Sequence, residues 1–323
     1  MQQQLQVNAE MNYADFFKKA TGCQPYPFQQ RLAQEPWPDL LRVPTGSGKT
    51  RAVILSWLWR VLQKTSPTRL VYCLPMRVLV RQTLDEAQSL VDKLAMDVQV
   101  HPLMGGFLEL DWDRHPERPT ILVGTLDQLL SRALNRGYAM SRFRWPNHFG
   151  LLHNDVQWIF DEVQLMGVGS TTSAQLHGLR EALGHFGQAH SMWMSATLNP
   201  TWLMTVDRPT ASEPQMLSSA DLAFPELRQR LYAPKQVARA EFLLNQSSKD
   251  KAPRWMTERL LQQHRPGTVS LVVVNQVDRA VAVYQALLKA KLKAETLLLH
   301  SRFRPYEREP MELRLKEPVP REG

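Results

Sequence analysis

The run Val43-Pro44-Thr45-Gly46-Ser47-Gly48-Lys49-Thr50 restricts what this chain can fold into more than any other segment. Apolar Leu40-Leu41 leads into it, and the helix-forming Arg51-Ala52-Val53-Ile54-Leu55 follows, so the order reads strand, loop, helix. Glycines let backbone N–H groups turn inward around a phosphate, and the start of a helix adds a favourable partial charge. In a loop of this kind Thr45, Gly46, Ser47 and Gly48 form the cradle, Lys49 reaches the β- and γ-phosphates, and the Thr50 hydroxyl ligates Mg2+. The strict phosphate-loop pattern has Gly where Val43 stands here.

The remainder of the chain reads as a setting for such a loop. Apolar, β-type runs occur at residues 70–74, 120–123, 156–160, 190–194, 270–274 and 296–299, separated by helical patterns. The clearest of these patterns covers residues 78–96, where Leu79, Thr83, Ala87, Leu90, Val91 and Leu94 recur at helical spacing. Alternation of this kind predicts an α/β fold with a parallel sheet and helices on both faces. In open sheets of that class ligands collect at the carboxyl ends of the strands. Periodicity fades and Pro, Ser, Ala and Glu dominate over residues 207–225. That predicts a first domain of residues 1–206, a linker at 207–225 and a second domain of 226–323, with a Lys- and Ser-rich loop at 245–253.

A carboxylate pair, Asp161-Glu162, closes the apolar run Val156-Gln157-Trp158-Ile159-Phe160. Burial of the strand would hold both side chains at the nucleotide edge, Asp161 to anchor Mg2+ through water and Glu162 to activate an attacking water. An Asp-Glu pair alone is an ordinary solvated strand end. Its value comes from pairing with the loop at Lys49.

These segments together resemble the superfamily 2 helicases, in which two RecA-like lobes clamp ATP between them and grip nucleic acid across their top. Phe160-Asp161-Glu162-Val163-Gln164 resembles that superfamily's D-E-x-x box, with Val-Gln in place of the commoner Ala-His or Ala-Asp. Tyr26-Pro27-Phe28-Gln29 resembles the motif whose Gln reads the adenine edge, and an amide can both donate and accept there. Pro75-Met76-Arg77-Val78-Leu79-Val80-Arg81-Gln82, Gly105-Gly106 and Thr125-Leu126-Asp127-Gln128 resemble the motifs that grip a strand by its backbone. Ser195-Ala196-Thr197 resembles motif III, whose hydroxyls bond to the D-E-x-x box and, with Gln164, relay nucleotide state to the nucleic-acid side. Val272-Val273-Val274-Asn275 and Leu299-His300-Ser301-Arg302-Phe303 resemble the opening motifs of a second RecA-like lobe.

The resemblance implies a DNA-directed ATPase using ATP and Mg2+. Its implied catalytic residues are Lys49, Asp161 and Glu162, its coupling residues Gln164, Ser195 and Thr197, and its strand contacts Arg77, Gly105, Gly106, Thr125 and Arg302. Asp161-Glu162-Val163-Gln164-Leu165-Met166 taken with Leu299-His300-Ser301-Arg302-Phe303 is most similar to the effector helicases of type I CRISPR interference. That similarity implies single-stranded DNA and a CRISPR surveillance complex as partners.

Charge agrees with a polyanionic partner. The chain carries a formal net charge of +8, and its distribution is uneven. Through Pro225 there are 20 Lys and Arg against 20 Asp and Glu; beyond it the count is 19 against 11. Lys and Arg in such excess release condensed counterions when they neutralise phosphates. Two cysteines without a C-x-x-C pair argue against a disulfide framework and a zinc knuckle. The stretch of residues 52–62 is interrupted by Arg60 and is short of the roughly 20 residues a membrane span needs. A cytoplasmic setting without membrane contact is the expectation. No His-Asp dipeptide occurs, and His148, His153 and Asp155 have the spacing of a loop and strand end, so no nuclease activity is expected.

Motifs V and VI, with the arginine finger that stabilises charge on the transferred phosphoryl group, are not matched in this sequence. An incomplete second lobe is therefore expected. An ATP-gated nucleic-acid binding module without turnover, and an ATPase acting on protein, remain as alternatives.

Overall fold

The computed structural model describes residues 11–105, 112–138, 140–210, 212–239, 251–290 and 294–316. The chain divides into two compact units, Met1–Pro234 and Lys235–Gly323.

In the first unit six strands join in one wholly parallel sheet. They are β1 (Leu40–Arg42), β2 (Arg69–Leu74), β3 (Gln99–Leu103), β4 (Thr120–Thr125), β5 (Val156–Asp161) and β6 (Ala189–Ser195), in the spatial order β1-β6-β5-β2-β4-β3. Parallel strands need crossover connections, which here carry helices except between β3 and β4, where none is described, and helices cover both faces of the sheet. The helices are α1 (Tyr13–Thr21), α2 (Pro27–Gln34), α3 (Lys49–Leu62), α4 (Arg77–Leu94), α5 (Leu126–Ala133), α6 (Trp145–His153) and α7 (Val168–Leu183).

Strand β2 shows how one run of apolar residues serves two cores. Leu70, Tyr72 and Leu74 enter the cluster shared with α1 to α4, while Val71 and Cys73 enter the one shared with α5, α6 and α7. Successive side chains of a strand point to opposite faces, so every residue of β2 is buried. Helix α4 buries Val80, Thr83, Ala87, Leu90, Val91 and Leu94, the three- and four-residue spacing of an amphipathic helix. Helix α3 differs, because Ala52 through Leu58 are all buried and its apolar surface runs round the whole helix.

The expected runs at 70–74, 120–123, 156–160 and 190–194 lie within β2, β4, β5 and β6. The expected linker does not. Gln215 forms a parallel bridge to Leu41, with Arg42 N donating to Gln215 O at 2.9 Å and Gln215 N to Leu40 O at 2.8 Å. Asp221, in the short helix α8 (Ser219–Leu222), is fully buried and accepts from Arg31 Nη2 at 2.6 Å and from the Phe28 amide at 2.5 Å. Gln215 thus extends the edge of the sheet and Asp221 caps α2, and the division between units falls after α9 (Pro225–Leu231). Composition suggested a linker because these residues satisfy their polar groups through specific bonds, not through periodic burial.

The second unit contains α10 (Ala252–Gln263) packed on α11 (Val277–Lys289), and α12 (Pro305–Lys316). The loop expected at 245–253 lies outside the described residues up to 250, and Ala252 and Pro253 already belong to α10. Among the described residues of this unit no strand forms, so the expectation for 270–274 and 296–299 is corrected. Leu271 and Val273 are 79% and 81% exposed. An extended segment becomes a strand only when a neighbour takes up its N–H and C=O groups, and here these groups have no ladder partner.

Candidate nucleotide-binding site

Sheet order brings the candidate residues together. Strands β1, β6 and β5 are neighbours, with Arg42 in register with Ser195 and Asp161 with Met194. The loop after β1, the carboxylates ending β5 and Ser195 ending β6 therefore share one edge of the sheet, although the chain separates them widely.

Gly46 and Gly48 both have φ of +80°, the left-handed region that L side chains avoid. Gly48 is also the N-cap of α3, so the helix begins at Lys49. A Cβ on Gly48 would lie 3.2 Å from Gln29 Nε2. Thr45 and Gly46 are exposed, whereas Ser47 is fully buried and donates from Oγ to Pro44 O at 2.7 Å. The Ser47 hydroxyl thus closes the loop on itself and leaves phosphate contacts to the backbone. Lys49 is 7% exposed, and its Nζ makes no hydrogen bond and sits 3.9 Å from Glu162 Oε1. A buried ammonium without hydrogen-bond acceptors is costly unless an anion completes its surroundings, and a phosphate group fits that need.

Asp161 is 5% exposed. Its Oδ2 accepts from Tyr72 Oη at 2.8 Å and its Oδ1 from the Glu162 amide, also at 2.8 Å. Burial pushes its pKa up to about 6, against the opposing pull of Lys49 and of the Tyr72 hydrogen bond. Burial and the neighbouring Asp161 carboxylate raise the Tyr72 phenol well above its ordinary value, so it stays a donor. Glu162 has φ 57° and ψ 47°, a left-handed conformation that is unusual for a residue with a Cβ. It turns the chain out of β5 into the 3-10 turn Val163–Leu165.

The coupling residues named from the motif pattern form one hydrogen-bonded chain. Thr197 N donates to Ser195 Oγ at 3.0 Å, Ser195 Oγ to Gln164 Oε1 at 2.6 Å, and Gln164 Nε2 to Glu162 Oε2 at 2.5 Å. Gln can occupy this position because its amide accepts on one side and donates on the other without a charge change.

Gln29 lies against the phosphate loop. It is 3% exposed, its Oε1 accepts from the Tyr26 amide at 2.9 Å, and its Nε2 makes a long contact of 3.5 Å with Ser47 O. Both ends of the amide address the chain itself, one capping α2 and the other touching the phosphate loop. Each end keeps one further valence, a lone pair on Oε1 and an N–H on Nε2.

Of the proposed strand contacts, Arg77 opens α4 and is exposed, and a Cβ on Gly105 would lie 2.9 Å from its Nη2. Arg77 and Gly105 therefore form one surface, and Gly105 is the residue that lets the guanidinium approach. Thr125 is the half-buried N-cap of α5 at the same strand-end edge, level with Leu74. Gly106 lies outside the described residues. Arg302, in the second unit, pairs with Asp278 at 2.8 Å, and both side chains are exposed. His148 bonds to Asp113 at 3.2 Å and His153 to Ala133 O at 2.7 Å. Among the described residues no group of three or more His, Cys, Asp or Glu is placed to hold a metal ion. None of the described helices is long and apolar enough to cross a membrane.

Tyr72 escaped the sequence reading, in which it was one apolar-run residue among five. The available signal was a tyrosine inside a fully buried strand, since a buried phenol seeks a hydrogen-bond partner.

The family model described as DEAD/DEAH box helicase matches residues 29–206, and the model described as CRISPR-associated nuclease/helicase Cas3, C-terminal, matches residues 266–323. No curated protein matches the chain. Among solved structures, the chain is similar to the DUF1998 helicase MrfA bound to DNA, at 16% identity and TM-score 0.60 over 94% of this chain and 42% of that one. It is similar to the Mycobacterium smegmatis helicase Lhr bound to ssDNA and AMP-PNP, at 18% identity and TM-score 0.60 over 95% of this chain and 40% of that one. Similarity to Saccharomyces cerevisiae dbp5, bound to gle1 and ip6, has 19% identity and TM-score 0.58 over 98% of this chain and 72% of that one. The chain thus spans about two fifths of the length of MrfA and Lhr, and at these identities the likeness concerns the RecA-like fold. With the first family model covering more than half of its residues, the chain belongs to the DEAD/DEAH box helicase family.

Proposed function

We propose that this chain is the nucleotide-binding portion of an ATP-dependent motor that moves on nucleic acid. The observation that carries the reading is Lys49, a buried ammonium without a hydrogen-bond acceptor at the start of α3, behind a loop whose two glycines have positive φ. Thr45, Gly46, Ser47 and Gly48 supply the backbone cradle and Lys49 the charge for the outer phosphates. Thr50 and Asp161 supply the oxygen ligands for Mg2+, and Glu162 holds the attacking water and accepts its proton. When bound, Mg2+ and ATP supply the charge-neutralised phosphoryl group that is cleaved. Gln164, Ser195 and Thr197 join Glu162 to the end of β6, so displacement of Glu162 is felt at that strand end.

Single-stranded DNA is the proposed track. Arg77, Gly105 and Thr125 lie at strand ends or helix starts, where they contact phosphates without reading bases. The DNA bound to MrfA and the ssDNA bound to Lhr support this choice. A role in CRISPR interference beside a surveillance complex is supported by the match over 266–323 and by His300-Ser301-Arg302-Phe303 within it.

Strand-stimulated ATPase activity tests the reading. Hydrolysis that rises with single-stranded DNA and vanishes in Lys49→Ala and Glu162→Gln is the expected outcome. Nucleotide binding without turnover would favour a gated binding module, and turnover indifferent to nucleic acid would favour an ATPase acting on protein.

A further inference from the structure

Of the two side chains assigned to Mg2+, Thr50 and Asp161, the second is held by a buried tyrosine. Tyr72 lies in the middle of β2, wholly buried, and its Oη donates to Asp161 Oδ2 at 2.8 Å. A phenol carries one proton, and here that proton is directed at the carboxylate.

This bond has a consequence for cation binding. Asp161 is held at both oxygens, by Tyr72 and by the Glu162 amide. Its carboxylate plane is therefore set before any cation arrives. The Tyr72 ring fills space in the core with α1 to α4, which a phenylalanine would fill equally well. Only the hydroxyl is specific to Asp161.

We propose that Tyr72 is a positioning residue for the divalent cation, orienting the Asp161 carboxylate toward the metal ion. The proposal rests on the reading of the loop at Lys49 as a Mg2+-nucleotide site. Partners of this kind, one bond removed from the metal, typically change metal affinity by about 10- to 100-fold.

The test is equilibrium binding of fluorescent N-methylanthraniloyl ADP to the full chain, with Mg2+ and with EDTA, alongside thermal melting. In wild type, Mg2+ should tighten binding. Tyr72→Phe should keep the EDTA affinity while losing roughly tenfold of the Mg2+-dependent gain, equivalent to about 1.4 kcal/mol. Asp161→Asn should lose at least as much, and adding Tyr72→Phe to it should cost little more, because the phenol acts through that carboxylate. An unchanged Mg2+ gain in Tyr72→Phe overturns the proposal. So does an equal loss of both affinities with a lower melting temperature, which would make the hydroxyl a structural bond. If wild type shows no Mg2+ gain and Lys49→Met leaves nucleotide affinity unaltered, the underlying site reading fails, and the proposal with it.

Discussion

The Ser195 hydroxyl donates to Gln164 Oε1 at 2.6 Å, joining the end of β6 to the turn that follows β5. The same Gln164 amide donates to Glu162, so the proposed base has a direct connection to the neighbouring strand end. Ser195→Ala leaves Gln164 Oε1 without its donor but leaves Lys49 and Asp161 untouched. Nucleotide affinity should hold while stimulation of ATPase by single-stranded DNA falls by roughly tenfold, the middle of the usual range for a coupling energy. Parallel titrations of nucleotide binding and of DNA-stimulated turnover would check it; equal loss in both would contradict a coupling role.

Lys49 separates stability from function. Its Nζ is buried without a hydrogen-bond acceptor. Lys49→Met keeps the apolar stem and removes the ammonium, so the nucleotide-free protein should be no less stable, with a gain on the order of 1 kcal/mol. Thermal melting with and without Mg2+-nucleotide reports both effects, the variant losing the ligand-induced shift. A marked loss of stability without ligand would mean that the Glu162 contact at 3.9 Å matters more than the geometry indicates.

Asp221 anchors the return of the chain over α2. Burial acts to raise its pKa, but the bonds from Arg31, Ser218 and the Phe28 amide outweigh it and hold the carboxyl below its usual range. Asp221→Ala would strand Arg31 and leave an amide at the start of α2 unpaired. Breaking a buried pair from one side costs about 3 kcal/mol. Urea denaturation of the first unit should register that loss, and an effect below about 1 kcal/mol would indicate that the 207–225 segment detaches freely.

His177 gives the fold a pH-dependent term. It packs edge-on against Trp193 at 5.4 Å, and burial, opposed by Glu181, pushes its pKa down to about 4. The folded state therefore binds fewer protons than the unfolded chain between pH 4 and the ordinary histidine value near 6.5. This contribution is complete above that window and is lost as pH falls through it. Between pH 7.5 and 5 the loss should be on the order of 1–2 kcal/mol. His177→Gln should flatten the profile in that interval, and denaturation curves at the two pH values would show a stability difference unchanged by the substitution if His177 stays neutral in both states.

Arg77, exposed at the start of α4, is the proposed phosphate contact on this face. Arg77→Ala should lower DNA affinity and reduce the slope of log affinity against log salt by about 1. Gly105→Ala places a methyl group 2.9 Å from Arg77 Nη2, the far end of a flexible side chain that can swing aside with its charge intact, so its effect should be the smaller of the two. Fluorescence anisotropy across a salt series measures this. An unaltered slope in Arg77→Ala would remove Arg77 from the phosphate contacts.

By itself the sequence determined the chemistry at each strand end and much of the alternation that builds the sheet. Gly46, Gly48 and Lys49 follow an apolar run, Asp161 and Glu162 close another, and both patterns are local because a phosphate loop and a buried strand are each made within a few residues. Gln164, Ser195 and Thr197 were legible as a group only through their resemblance to a motif series. Tertiary structure decided the strand order β1-β6-β5-β2-β4-β3, which seats those segments side by side. It also decided that Gln29 caps its own helix, that Asp221 binds the 207–225 segment to α2, and that residues 270–274 find no ladder. The physical reason is shared by all three. A hydrogen-bonding group declares its capacity in the sequence, but its partner is chosen by which backbones and side chains the packed core brings within about 3 Å. Tyr72 is the plainest case: its ring belonged to the apolar pattern, and only the folded sheet put its hydroxyl against Asp161.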